Sequence, residues 1–258
     1  DWLPKHALVA EIGVAAGDFS AEILAHTAPQ TLHLIDSWSH DERFLHIRDA
    51  VANRFAAEVA AGQVVIDQGY SLTVLAGFPD GYFDWVYLDT GHDFTTTYQE
   101  LQLCRAKVKP GGIIAIFFGN FYRALYLPGY RRLEWLASSA ENLHWQNEAQ
   151  PTLENPIPNA YERALQWLQA AGLHNCAVTA HPLLYQQPLP APARDYLEAY
   201  VFAEAWGPGV QACGTAVGMS DAERIRFQEL TTPGTPHYML DQPDYYCLQT
   251  AVLAIGRV

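Results

Sequence analysis

Apolar positions in the first half of the chain fall in short runs separated by amphipathic stretches. Residues 7–12 form an apolar run that ends at Gly13 and reads as a buried strand. Residues 18–26 carry Phe19, Ile23 and Leu24 at helical spacing, and residues 31–36 read as a second strand. Phe44, Ile47, Val51, Phe55 and Val59 recur every three or four positions, so residues 42–61 are expected to form one long helix. Residues 63–66 suit a third strand closed by Asp67, and 71–76 a short helix. Residues 83–88 suit a fourth strand, 95–108 a helix stopped by Pro110-Gly-Gly, and 113–118 a fifth strand. Strands this apolar, each followed by a helix, pair in parallel through right-handed crossovers and are covered on both faces. The expected architecture is a doubly wound α/β fold.

The second half is less regular. Residues 130–145 and 160–171 are expected helices, the latter stopped at Gly172, with a proline- and asparagine-rich loop over 147–158 between them. Residues 177–180 suit a sixth strand, 182–192 an extended proline-rich segment, and 194–206 a helix. Ser220-Asp-Ala-Glu223 is a capping-box signature that opens a helix reaching residue 230, and 246–255 reads as a final strand. The whole chain, 1–258, is expected to form one domain, with a cofactor-binding half at 1–119 and a substrate-binding half at 120–258. Long connections in a compact domain are often functional, so 182–192 and 207–218 are candidate lids.

Charge narrows the partners. Fifteen Lys and Arg against 28 Asp and Glu give a net charge of −13 over 258 residues. So acidic a surface repels phosphate backbones and anionic lipid, which argues against nucleic-acid and membrane partners. The four cysteines, Cys104, Cys176, Cys213 and Cys247, show neither a disulfide framework nor zinc-ligand spacing. No signal-like start and no membrane-length apolar run appear, and a cytoplasmic protein is expected.

In an open α/β sheet, ligands bind outside the carboxyl ends of the strands. After the first strand stands Glu11-Ile-Gly13-Val-Ala15-Ala-Gly17-Asp-Phe-Ser20. Glycine at 13 and 17 permits a tight turn, but the dinucleotide fingerprint needs glycine where Ala15 stands. Asp36 closes the second strand, 25 residues after Glu11, where a carboxylate can accept hydrogen bonds from both ribose hydroxyls. The third strand ends in Asp67-Gln68-Gly69-Tyr70-Ser71, where a polar side chain could meet a base edge, and the fourth in Asp89-Thr90-Gly91-His92-Asp93.

Glu11-x-Gly-x-x-x-Gly17, the acid at 36, Phe83-Asp-Trp-Val-Tyr-Leu-Asp89 and Lys109-Pro-Gly-Gly-Ile-Ile together resemble class I S-adenosylmethionine-dependent methyltransferases. The segments Ala10-Glu-Ile-Gly-Val, His33-Leu-Ile-Asp-Ser-Trp38 and Asp89 to His92 resemble the macrocin-type small-molecule O-methyltransferases. Arg131-Arg-Leu-Glu-Trp-Leu, Trp167-Leu-Gln-Ala-Ala-Gly-Leu and Gly256-Arg257 are more loosely similar to ubiquinone/menaquinone-type and natural-product methyltransferases. The resemblance implies a Rossmann-like, mostly parallel seven-stranded sheet with an antiparallel last strand and helical or loop lid insertions. It implies S-adenosyl-L-methionine as methyl donor, S-adenosyl-L-homocysteine as product and a small-molecule acceptor.

By that resemblance, Glu11 lies near the methionine amino group and Gly13, Ala15 and Gly17 form the floor. Asp36 and Ser37 meet the ribose with Trp38 beside it, and Gln68, Gly69 and Tyr70 border the adenine. Asp89 and Thr90 face the sulfonium. His92, an imidazole that titrates near neutral pH, is the candidate general base, with Asp93 as its orienting or helix-capping neighbour and Asp89 as the other catalytic candidate. Metal-dependent relatives carry a second acid where Gly91 stands and a His-Asp pair where Phe117-Phe118-Gly119-Asn120 stands, so no metal is expected here. Phe117, Phe118, Phe121, Tyr122, Tyr126, Trp135, Tyr185 and Trp206 are candidates for an apolar acceptor pocket. Two rival readings remain: a nucleoside-binding protein of the same fold without turnover, and an NAD(P)-linked oxidoreductase. A homo-oligomer is left open.

Overall fold

The computed structural model describes residues 3–38, 42–90, 94–119, 124–149 and 163–258. Seven strands form one sheet: β1 (Leu8–Ile12), β2 (Thr31–Asp36), β3 (Val64–Gln68), β4 (Phe83–Leu88), β5 (Val108–Gly119), β6 (His174–Gln186) and β7 (Tyr246–Arg257). Their order is β3-β2-β1-β4-β5-β7-β6. The first five pair in parallel, with Glu11 opposite Leu34 on one side and Tyr87 on the other. The last strand runs antiparallel to β5 and β6. The expected doubly wound, mostly parallel sheet with an antiparallel last strand is therefore present. Its order reverses at β1, between β2 and β4, and a crevice opens at such a switch point.

The chain divides into two compact units. The first holds residues 1–118, 159–179 and 253–258, and the second 119–158 and 180–252. The core of the first is the buried apolar strands, Val9, Leu32, Leu34 and Trp85 among them, with Ile23, Val51 and Phe55 from the helices. Around β1 to β5 run helices α1 (Asp18–Thr27), α2 (Glu42–Arg54), α3 (Ala56–Ala60), α4 (Ser71–Ala76) and α5 (Phe94–Lys107). The expected single helix over 42–61 is two, parted at Phe55, whose φ of −106° and ψ of 25° leave the helical region. Phe55 is buried, and its ring occupies the space that a side chain at Gly17 would fill. Val59, the next apolar position in the series, is exposed, so the apolar period runs on past the point where the chain leaves the core.

The second unit packs α6 (Arg131–Ala149), α8 (Ala191–Asp195), a π-helical run (Tyr196–Trp206), α9 (Gly207–Cys213) and α10 (Asp221–Thr231) around Trp206, Phe202, Leu136 and Tyr238. Helix α7 (Ala164–Ala170), by contrast, belongs to the first unit. Several expectations fail here. The candidate lid at 207–218 is helical through Cys213, with Pro208 accommodated where the π-helical run passes directly into α9. Of the extended stretch at 182–192, the first part continues β6 and the last opens α8. Strand β6 runs well past the expected 177–180, and β5 passes through Pro110-Gly-Gly instead of starting after it. The loop over 147–158 lies largely outside the described residues.

The capping box at α10 is present as read: Ser220 Oγ accepts from the Glu223 N–H, and Glu223 Oε2 accepts from the Ser220 N–H at 2.9 Å. These charge-assisted bonds, with Arg132 beside them, pull the Glu223 carboxyl down to about 2. Ser220→Ala should lower the thermal midpoint by roughly 3 °C, the ordinary cost of an N-cap in a domain of this size, as scanning calorimetry would show.

Candidate functional site

The ends of β1, β2, β3 and β4 are tied together by backbone and carboxylate bonds. At the switch point the Gly13 N–H donates to Ile35 O at 2.9 Å, and the Asp89 N–H donates to Ile12 O at 2.8 Å. Gly13 has φ +88°, and a Cβ there would stand 2.0 Å from the Asp89 carbonyl oxygen. The glycine is thus dictated by the backbone of β4 as well as by the turn.

Asp36 organises the turn after β1. Its Oδ2 accepts from the N–H groups of Val14 at 2.8 Å and Ala15 at 3.0 Å, and its Oδ1 accepts from the Trp38 N–H at 2.9 Å. A carboxylate has about four acceptor positions, so one remains for a ligand hydroxyl. Ala15, held at φ +48°, takes the left-handed conformation that a glycine would adopt without cost. Trp38 is buried and donates its indole N–H to Ala15 O at 3.1 Å, so it fastens the turn from beneath. Gly17 lies against Phe55, and its N–H closes the turn onto Val14 O at 2.9 Å. On the far side, the Gly69 N–H donates to Asp36 O at 2.9 Å, and Gln68 Nε2 reaches Ser37 O at 3.4 Å. Tyr70 projects into solvent at the start of α4, 62% exposed.

Three acids converge on this turn. Glu11 is buried and accepts a short bond from Ser20 Oγ. Burial, with Asp89 and Asp36 nearby adding like charge, pushes its carboxyl up to about 8. Burial likewise pushes Asp89 up to about 6, although Tyr87 donates its hydroxyl at 3.3 Å. Phe19, in the first turn of α1, lies over Tyr87 with ring centroids 4.2 Å apart and is 44% exposed, giving the acidic crevice an apolar wall.

Several members of this cluster escaped the sequence reading: Phe19, Tyr87 and, above all, Glu100. Glu100 is fully buried on α5 and accepts from Thr90 Oγ1 at 2.7 Å and Ser71 Oγ at 2.5 Å. A signal existed, since Thr97, Glu100, Leu101 and Cys104 share one buried helical stripe, and an acid within such a stripe calls for partners. Asp67, read at the end of the third strand, turns instead to His33, whose Nδ1 lies 2.7 Å from its Oδ2. His92 lies outside the described residues, as do Gly91 and Asp93. Among the aromatics expected in an acceptor pocket, Tyr126 and Trp206 are core, Trp135 is exposed, and Phe121 and Tyr122 lie outside the described residues. Among the described residues no three His, Cys, Asp or Glu side chains are grouped to hold a metal, and no helix is long and apolar enough to cross a membrane.

Residues 10–116 match a family model described as a methyltransferase domain. Every acid and glycine of the turn lies within that span. The fold is similar to that of the YcgJ protein of Bacillus subtilis, at 14% identity, 99% coverage of this chain, 94% of that one, and a TM-score of 0.51. It is similar to precorrin 8w decarboxylase of Methanobacterium thermoautotrophicum, at 11% identity, 99% and 84% coverage, and a TM-score of 0.51. It is also similar to phosphoethanolamine N-methyltransferase 2 of Haemonchus contortus, solved with phosphomonomethylethanolamine and S-adenosylhomocysteine. There the identity is 13%, the coverage 99% and 49%, and the TM-score 0.52. No curated protein matches the chain. The fold is thus similar to that of these solved structures, and the strand-end turn lies within the stretch that matches the methyltransferase-domain model.

A raised carboxyl favours the folded state below the ordinary pKa of 4.5 and loses that contribution as pH climbs towards about 8. The ligand-free protein should therefore melt earlier at pH 8 than at pH 5. Glu11→Gln keeps an acceptor for Ser20 without the charge. It should raise the melting temperature at pH 8 by about 4 °C or more, and much less at pH 5, as calorimetry at the two pH values would reveal.

Proposed function

We propose that the chain binds S-adenosyl-L-methionine in the crevice at β1, β2 and β4 and transfers its methyl group to a small molecule. A hydroxyl oxygen of a natural-product-like acceptor is the methylated position favoured by the resemblance of the first half to small-molecule O-methyltransferases. The observation that carries this reading is the set of acids around Gly13. Glu11 and Asp89 are held in an environment that resists their ionisation, and a cationic ligand reverses that balance by Coulomb attraction. A donor with one sulfonium and one ammonium group fits two such carboxylates.

Bound there, the donor supplies a methyl carbon already activated by its positive sulfur. An acceptor hydroxyl attacking that carbon would displace S-adenosyl-L-homocysteine, the carbon–sulfur electron pair going to sulfur. The chain's own work is binding, alignment and proton transfer. Asp36, with its remaining acceptor position, takes a ribose hydroxyl, and the Gln68 to Tyr70 segment borders the base. Glu11 and Asp89 hold the charged end, and Phe19 keeps water from one side of it. The hydroxyl proton goes to His92 as general base, with Asp89 as the other catalytic candidate beside the charged end.

Calorimetric titration tests the cofactor. S-adenosyl-L-methionine should bind, with affinity rising between pH 6 and about 8.5 as the carboxyls ionise and protons are released. S-adenosyl-L-homocysteine, without the sulfonium charge, should show a shallower rise. Binding of NADH with no binding of either would overturn the reading in favour of an oxidoreductase. In methyl-transfer assays over a panel of phenols and alcohols, His92→Ala should lower kcat by about a hundredfold while leaving donor affinity within twofold. An unchanged kcat would remove His92 from the chemistry.

A further inference from the structure

We propose that Glu100 is a positioning residue that sets the adenosine end and the sulfonium end of the crevice at a fixed separation; this rests on the S-adenosylmethionine reading above. Its carboxylate is fully buried, and each oxygen takes one hydroxyl: Oε1 from Ser71 at 2.5 Å and Oε2 from Thr90 at 2.7 Å. Ser71 opens α4 directly after Gln68, Gly69 and Tyr70, the segment assigned to the base. Thr90 directly follows Asp89, which faces the sulfonium.

The topology gives this pair of bonds its force. Strands β3 and β4 are not neighbours, because β2 and β1 stand between them. At about 4.8 Å per strand, the two strands lie on the order of 14 Å apart, and no ladder bond can join their ends. The loops that follow them nevertheless meet on one side chain of α5. A nucleoside with a charged tail has one end at each loop, so the grip on the whole molecule depends on the distance that Glu100 sets. A purely structural staple could be apolar throughout, since replacing a buried polar cluster as a whole by well-packed apolar groups is often neutral or stabilising.

Titration of the full chain with S-adenosyl-L-homocysteine, and separately with adenosine, reads the difference. Glu100→Ala should weaken S-adenosyl-L-homocysteine about tenfold or more, a change of about 1.4 kcal/mol, while adenosine alone stays within about twofold, because only the intact ligand spans both loops. Glu100→Gln should restore affinity to within about threefold, since its amide can accept from one hydroxyl and donate to the other. An alanine variant that melts cooperatively and binds both ligands like the wild type overturns the proposal and makes Glu100 a staple of the fold. If Glu100→Ala does not fold, Ser71→Ala and Thr90→Val serve: their losses in S-adenosyl-L-homocysteine affinity should be non-additive, and strictly additive or absent losses overturn it. A wild-type chain that binds no S-adenosyl-L-homocysteine overturns the parent reading, and this inference with it, a result distinct from either of the others.

Discussion

Glu11 leaves water at the point where the sheet reverses, and the groups that face it are a serine hydroxyl and two further acids. Holding that carboxyl there costs folding free energy, and the surrounding architecture is arranged to hold it. Parallel strands buried on both faces give β1 a dry interior. Gly13 lets the chain turn beneath the backbone of β4, and Asp36 gathers the N–H groups of Val14 and Ala15 so that the turn cannot relax outward. A positive ligand turns this arrangement from a cost into a source of affinity. The site is therefore prepared for charge before it is prepared for shape.

The second consequence of the topology concerns reach. Ladder bonds link the ends of adjacent strands, as Gly69 to Asp36 and Asp89 to Ile12 show, but they do not link β3 to β4. That longer span falls to side chains, and the sequence provides one in Glu100 with two hydroxyls to receive. Asp36 works similarly at shorter range. Asp36 is half-buried and gathers backbone N–H groups, whereas the buried Glu100 gathers side-chain hydroxyls, and each touches residues assigned to the ligand.

The strands and helices of the first half were legible because one physical rule governs them. Burial on both faces demands continuous apolar strands, and β2, β4 and α4 fall where the pattern put them. The second half was less legible because its segments pack on one another without a fixed period. A helix passes through Gly207-Pro208-Gly209 once the preceding turns widen to π geometry, and no local propensity announces that change. Trp206 and Tyr126 looked like pocket residues for a related reason: an aromatic side chain reads alike whether it lines a cavity or fills a core, and only packing separates the two.

Sequence alone determined the fold class, the glycine turn and the acids at the strand ends, because hydrophobic period and backbone sterics are local properties that residue type expresses directly. Tertiary structure decided what those residues do. It turned Asp36 from a free carboxylate into an anchor for three N–H groups, gave Gly13 a neighbour in Asp89, and set Phe55 over Gly17. It also brought Ser71 and Thr90 to Glu100, from loops separated by two intervening strands. Convergence of that kind depends on the order in which strands lie side by side, and no pattern along the chain records it.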